Sequence, residues 1–139
     1  MAHQAKGEFD VERSIEPFCD MGDGAVAGHY RIDKQFRGEL EASSVVHMLA
    51  AGTDTPGSAA YVAIERVSGT LQARAGTFFL QHNGIMNRGA ATLSLTVVPD
   101  SGTGELVGLA GAMTIEITEG KHFYTFDYAL KPNANEDLT

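Results

Sequence analysis

The sequence predicts an all-β fold, an eight-stranded antiparallel up-and-down barrel, and three observations lead there. Apolar and polar residues alternate along most of the chain, which is the period of a half-buried strand. A Gly-x-Leu unit recurs as Gly38-Glu39-Leu40, Gly69-Thr70-Leu71 and Gly104-Glu105-Leu106, at spacings of 31 and 35 residues, the length of a hairpin of two short strands. Two residues after each Leu stands a small residue, Ala42, Ala73 or Gly108, which suits the corners of a sheet that bends closed.

The strands follow in order. Phe9, Val11 and Ile15 alternate with charged residues in EFDVERSIE and place a strand near 6–16. Tyr30, Ile32 and Phe36 do the same in HYRIDKQF, for a strand near 26–37. The third, near 39–50, contains SSVVHMLAAG, where a helical turn competes; β-branched Val45 and Val46 weigh against it. Strands near 58–68 and 70–82 flank the second Gly-x-Leu copy, and ATLSLTVV sets Leu93, Leu95 and Val97 against Thr92, Ser94 and Thr96 in a strand near 89–98. GTLQARAGTFFL and GELVGLAGAMTI align Gly76 with Gly111, Phe78 with Met113 and Leu80 with Ile115, which gives a strand near 105–118. The last, near 122–131, carries His122, Tyr124, Phe126, Tyr128 and Leu130 on one face.

Composition sets the outer limits. At 139 residues the chain makes one barrel domain, 1–139, with a loose start over about 1–5 and a loose tail over about 132–139. A hydrophobic fraction of 43% with 20% charged residues is that of a folded globular protein. Ten Lys and Arg against 18 Asp and Glu leave a formal charge of −8, which repels nucleic acid and anionic lipid. No apolar run approaches a membrane span and the start lacks a secretory h-region, so the expected location is cytoplasmic. Cys19 has no second cysteine to pair with and reads as an ordinary thiol.

Beyond these patterns, SAAYVAIERVSGTLQARAGTFFLQHNG (58–84), VVPDSGTGELVGLAGAMTIEITEGKHFYTFDYAL (97–130) and KQFRGEL carry a combination of motifs: Tyr-x-x-x-Glu, Gly-x-Phe-x-Leu-Gln-His, Ser-Gly-Thr-Gly-Glu-Leu and His-x-Tyr-x-x-x-Tyr. Over roughly Phe9 to Leu130 the chain resembles the small bacterial proteins of the domain of unknown function 3224 family. The resemblance implies a barrel similar to the allene oxide cyclases, calycin-like folds that hold a hydrophobic ligand. It implies no reaction, and the catalytic residues of the cyclases find no matching positions here.

The glycine-rich stretch Ser101-Gly102-Thr103-Gly104 tempts a nucleotide-binding reading, but both phosphate signatures fail. The dinucleotide fingerprint needs a third glycine where Val107 stands, and a P-loop needs Gly-Lys-Ser/Thr where Gly108 is followed by Leu109. No cofactor is therefore expected. Pro99, Asp100 and the glycines read as a turn, with Glu105 either a rim residue facing a ligand or a solvated charge. No Gly-x-Ser-x-Gly elbow exists for a serine hydrolase, and Ser58 and Ser68 flank turns.

The candidate site residues come from other strands. His82 ends one strand pattern and His122 opens another; convergence with Glu65 would make an acid–base pair or a two-histidine, one-carboxylate metal site. No H-x-H or H-E-x-x-H spacing supports metal, so none is expected, and His3, His29 and His47 read as structural. Tyr124 and Tyr128 share a face with Phe126, offering apolar walls with phenol donors. Glu65 alternates with Ala63 and Val67, which would bury its carboxylate and require either a partner, Arg74 across the hairpin, or a pKa raised toward the acid–base range; Val62 and Ile64 compete for the same interior, and that register leaves Glu65 in solvent.

Three readings result. In the first, the barrel binds a small apolar ligand, with Tyr61, Glu65, Gln81, His82, His122, Tyr124 and Tyr128 lining or gating the cavity. In the second, the same cavity houses a cofactor-free isomerase or cyclase in which Glu65 or His82 moves a proton. In the third, the barrel is filled and acts as a homodimer or other homo-oligomer through an outer face, with HMLAAG or the aliphatic residues around Val62 and Ile64 at the contact.

Overall fold

A computed structural model describes residues 2–18 and 20–131; Cys19 and the expected tail at 132–139 lie outside the described residues. Eight strands close into an antiparallel barrel in sequence order: β1 (Ala2–Glu16), β2 (Val26–Gly38), β3 (Leu40–Gly52), β4 (Ala59–Leu71), β5 (Arg74–Asn87), β6 (Ala90–Val97), β7 (Leu109–Thr118) and β8 (Lys121–Leu130). Closure is made by β1 on β8, with Ala5 opposite Phe126 and Phe9 opposite His122. Residues 2–5, expected to be loose, are therefore part of the wall, because β8 supplies their ladder partners. Among the described residues no helix is long and apolar enough to cross a membrane.

One end of the barrel is solid. Phe9, Phe36, Val67, Phe78, Leu80, Leu95, Met113 and Phe126 point inward and are buried, with Phe78 stacked on Phe126 at 5.8 Å between ring centroids. Leu40, Leu71 and Leu106, each 1% exposed, belong to the same core. These are the leucines of the three Gly-x-Leu copies, so what the repeat shares is the placement of a buried leucine. The glycines differ. Gly38 turns the chain between β2 and β3 at φ +106°, and Gly104 opens a 3₁₀ turn, Gly104–Leu106, at φ +61°. Gly69 instead stays within β4, paired with Ala42 and Gly76, where a Cβ would lie 2.2 Å from the Glu41 carbonyl oxygen. The β4–β5 reversal falls three residues later, at Gln72 and Ala73.

One further expectation holds and another shifts. SSVVHMLAAG is strand throughout, inside β3. The strand expected over 105–118 begins only at Leu109, because the preceding loop has another task. The β5–β6 ladder starts at Leu80↔Val97, which leaves the lower part of β5 without a strand partner on that side. Side chains from the loop fill the gap. Ser101 Oγ accepts the Phe79 N–H at 3.1 Å, Thr103 Oγ1 the Thr77 N–H at 3.0 Å, and Glu105 Oε1 the Ala75 N–H at 3.1 Å. The alternation of SGTGE thus matches that of the strand it covers, satisfying donors that would otherwise form an open edge.

Toward the other end the inward positions stay open to solvent: Val11 is 42% exposed, Met86 43%, Leu93 45% and Ile117 65%. Here the β6–β7 ladder is confined to Leu95↔Met113 and Thr96↔Ala112. On the outside, Leu49, Val62, Ile64 and Ile85 are exposed on adjacent strands.

Candidate functional site

Between the solid end and the open end, four neighbouring strands each direct one polar side chain inward. Lys34 lies on the Ile32 and Phe36 face of β2, Ser44 between Ala42 and Val46 on β3, Glu65 between Ala63 and Val67 on β4, and His82 between Leu80 and Gly84 on β5. Register makes them diagonal neighbours: Val46 pairs with Glu65 and Ser44 with Val67, while Ala63 pairs with His82 and Glu65 with Leu80. Strand tilt in a closed barrel turns such diagonals into one continuous cluster.

Glu65 is the hub and is wholly buried. Its Oε1 accepts from His82 Nε2 at 2.6 Å and from Lys34 Nζ at 3.2 Å, and its Oε2 accepts from Ser44 Oγ at 2.6 Å. Burial by itself pushes the carboxyl pKa up, but the hydrogen bond from His82, the Lys34 and His82 charges and the Ser44 hydroxyl together hold it below the ordinary carboxylate value. Glu65 is therefore an anion neutralised by Lys34, whose ammonium also stands 4.9 Å from the centroid of the Phe9 ring. No buried side-chain nitrogen or oxygen among the described residues lacks a partner.

This wiring orients His82. A carboxylate only accepts, so Nε2 carries a proton, and in the neutral form of the ring Nδ1 is the atom that keeps a lone pair. Nδ1 faces the Tyr61 hydroxyl at 3.5 Å, too long for a strong bond and short enough to tighten around a bound polar atom. Burial, then the Glu65 charge, raises the Tyr61 phenol pKa, so the phenol stays a donor. Tyr61 reaches this position because it faces Gly84 across the β4–β5 ladder and covers it: a Cβ on Gly84 would lie 2.4 Å from Tyr61 Cε1.

The structure thus brings Tyr61, Glu65 and His82 together and adds Lys34 and Ser44, which sequence reasoning missed. The missed signal was parity: Lys34 occupies the apolar register of Tyr30, Ile32 and Phe36, and Ser44 that of Ala42 and Val46. Arg74, expected as the partner of Glu65, is exposed beside the β4–β5 turn, where it pairs in register with Leu71. Gln81 faces outward, as alternation demands once His82 faces in. His122 is half-buried against Phe9, 5.1 Å between centroids, and joins no hydrogen bond of the cluster.

Tyr124 and Tyr128 serve the solid end. The Tyr124 hydroxyl accepts the Leu40 N–H at 2.9 Å and donates toward the Arg37 and Leu40 carbonyls at 2.9 and 3.1 Å, tying β8 to the β2–β3 turn. Tyr128 donates to the Gln72 side-chain carbonyl at the β4–β5 turn. Both repeat the arrangement of Tyr61, each lying opposite a glycine, Gly7 for Tyr124 and Gly111 for Tyr128. His29 Nε2 and His47 Nδ1 meet at 2.9 Å on the outer wall, and Glu105 is engaged by the β5 edge.

A family model for a protein of unknown function, DUF3224, matches residues 5–128, a span that takes in β2 to β7, most of β1 and β8, and all five residues of the cluster. The chain belongs to the DUF3224 family. A crystal structure of a DUF3224 protein of unknown function from Shewanella oneidensis MR-1 is similar to it, with 47% sequence identity, a TM-score of 0.90, and coverage of 95% of this chain and 100% of that one. No curated protein matches the chain. In this DUF3224 member the cluster is where buried charge, a histidine and a phenol meet.

Proposed function

We propose that the barrel binds a small, mainly apolar molecule at its open end and meets the molecule's polar atom with Tyr61 and His82. The observation that carries this reading is the contact between His82 Nε2 and the buried Glu65 at 2.6 Å, which fixes the ring and turns Nδ1 toward a half-buried phenol. The exposed Val11, Met86, Leu93 and Ile117 supply apolar walls above it. Lys34 and Glu65 cancel each other, so the site favours an uncharged ligand over an ion. A thermal-shift screen of neutral metabolites tests the reading. A binder should raise the melting temperature of the wild type, and Tyr61→Phe and His82→Gln should weaken it.

The same geometry supports proton transfer. His82 Nδ1 is the base, Glu65 positions the ring and stabilises the imidazolium that forms, and Tyr61 hydrogen-bonds an oxygen on which charge develops. A ligand with an acidic C–H beside a carbonyl would then exchange deuterium from solvent in the wild type and not in His82→Gln. Binding without exchange or conversion leaves the protein a binder.

A second reading, self-association, has its own observation. The outward positions His47, Leu49, Ala51, Ala60, Val62, Ile64, Gln81, Asn83 and Ile85 include no Asp, Glu, Lys or Arg, in a chain of net charge −8. A groove of about 390 Å³ runs along this face and reaches Tyr61 and Gly84, with Phe18 and Met21 at its border. A copy of the same charge is least repelled there. Sedimentation of the wild type and Val62→Asp tests it; a monomeric wild type ends it.

A further inference from the structure

We infer that the unzipped upper part of the β6–β7 boundary is the entrance and apolar half of the ligand site, admitting a neutral molecule sideways to Tyr61 and His82. The inference rests on the ligand-binding reading above.

The ladder fixes where the wall opens. Its uppermost pair, Leu95↔Met113, is level with His82, since His82 pairs with Leu95 across β5 and β6. The same register continued upward would set Leu93 against Ile115 and Ala91 against Ile117, yet neither pair forms. The neighbouring ladders do continue, through Gly84↔Leu93 and Met86↔Ala91 on one side and Ile115↔Tyr124 and Ile117↔His122 on the other. The opening therefore starts one step above His82, at the level of Gly84, the residue that Tyr61 covers, with β6 between the two.

The chemistry of its edges indicates what enters. Leu93, Ile115 and Ile117 keep the inward parity of Leu95 and Met113, and Leu93 and Ile117 are 45% and 65% exposed. The strand AATLSLTV contains no charged residue and no proline, so its free edge lacks two of the devices that usually protect an unpaired strand. An apolar molecule lying between Leu93 and Ile117 would cover that surface and bring one polar atom to Tyr61 and His82.

N-phenyl-1-naphthylamine, a neutral apolar fluorophore with one N–H, is a suitable probe. Its emission should rise on binding to the wild type, and Leu93→Asp and Ile117→Asp should each weaken it by at least about tenfold. Both positions are exposed enough to accept the change. Ile85→Asp, on the outer groove, should leave affinity unchanged. The chain has no tryptophan, so Leu93→Trp adds a single donor whose emission should be quenched by transfer to the bound probe. Affinity weakened by Tyr61→Phe but untouched by Leu93→Asp and Ile117→Asp would overturn the entrance and leave the ligand-binding reading standing. Loss of affinity in Ile85→Asp alone would place the probe outside and overturn it as well. No emission rise with the wild type would remove both.

Discussion

Tyr61 and Gly84 face each other across β4 and β5, and the phenol ring occupies the space where a Gly84 side chain would project, 2.4 Å from an ideal Cβ. The glycine has ordinary extended backbone, so its role is to make room for the ring that lies beside His82. Gly84→Ala should therefore act through Tyr61. It should cost about 1–3 kcal/mol by overpacking, and much of that cost should vanish in a Tyr61→Ala background. A double-mutant cycle in urea measures the coupling; full additivity would mean that the ring does not depend on Gly84.

Removing one charge of the buried pair should hurt more than removing both. Lys34→Met or Glu65→Gln alone leaves an uncompensated or unpaired group in the barrel and should cost about 3–5 kcal/mol. The double variant should be less destabilised than the sum of the two. Equilibrium unfolding of the three variants at pH 7 checks this.

Acid should weaken the fold through Glu65. Its carboxyl is held below the ordinary value in the native state, so the unfolded chain takes up its proton first. The stabilisation is present above the ordinary carboxylate pKa of about 4.5 and is lost as pH falls through the lower native value. Urea midpoints measured from pH 7 to pH 3 should fall steeply below about pH 4.5 for the wild type. Glu65→Gln should show a shallower slope over that interval.

Replacing a loop side chain should loosen a strand it does not belong to. Thr103→Val removes the acceptor for the Thr77 N–H and should cost about 1–3 kcal/mol, less if water reaches the site. Amide hydrogen exchange should quicken at Thr77 and its neighbours on β5 and stay unchanged at Val46 on β3.

Tyr124→Phe should lower stability without touching the candidate site. The buried Leu40 N–H loses its acceptor, and the Arg37 and Leu40 carbonyls lose the one hydroxyl proton they share, a cost of about 1–3 kcal/mol. The affinity for the fluorophore should equal that of the wild type once both are folded, because Tyr124 anchors the opposite end.

The barrel was legible in the sequence because alternation is local: Phe78 and Leu80, or Tyr124, Phe126 and Tyr128, declare their inward face through their neighbours. Parity also marked Glu65 as a candidate for the interior, while Val62 and Ile64 left the face ambiguous until the structure put both outside. Register and closure were not local. Whether Glu65 would meet Arg74 or Lys34 depended on where the β4–β5 turn fell and on how far β2 and β3 were staggered, and a turn at Gln72 and Ala73 sends Arg74 to the barrel's end. The glycine-rich SGTGE segment shows the same division. Its residues ruled out a phosphate loop, but only β5, with its amides facing an absent strand partner, made the two hydroxyls and Glu105 a substitute ladder. Sequence by itself determined the strand pattern and the inward set, since period-two burial is written residue by residue. Tertiary structure decided which inward polar groups meet, because the stagger of a closed barrel joins residues far apart in the chain.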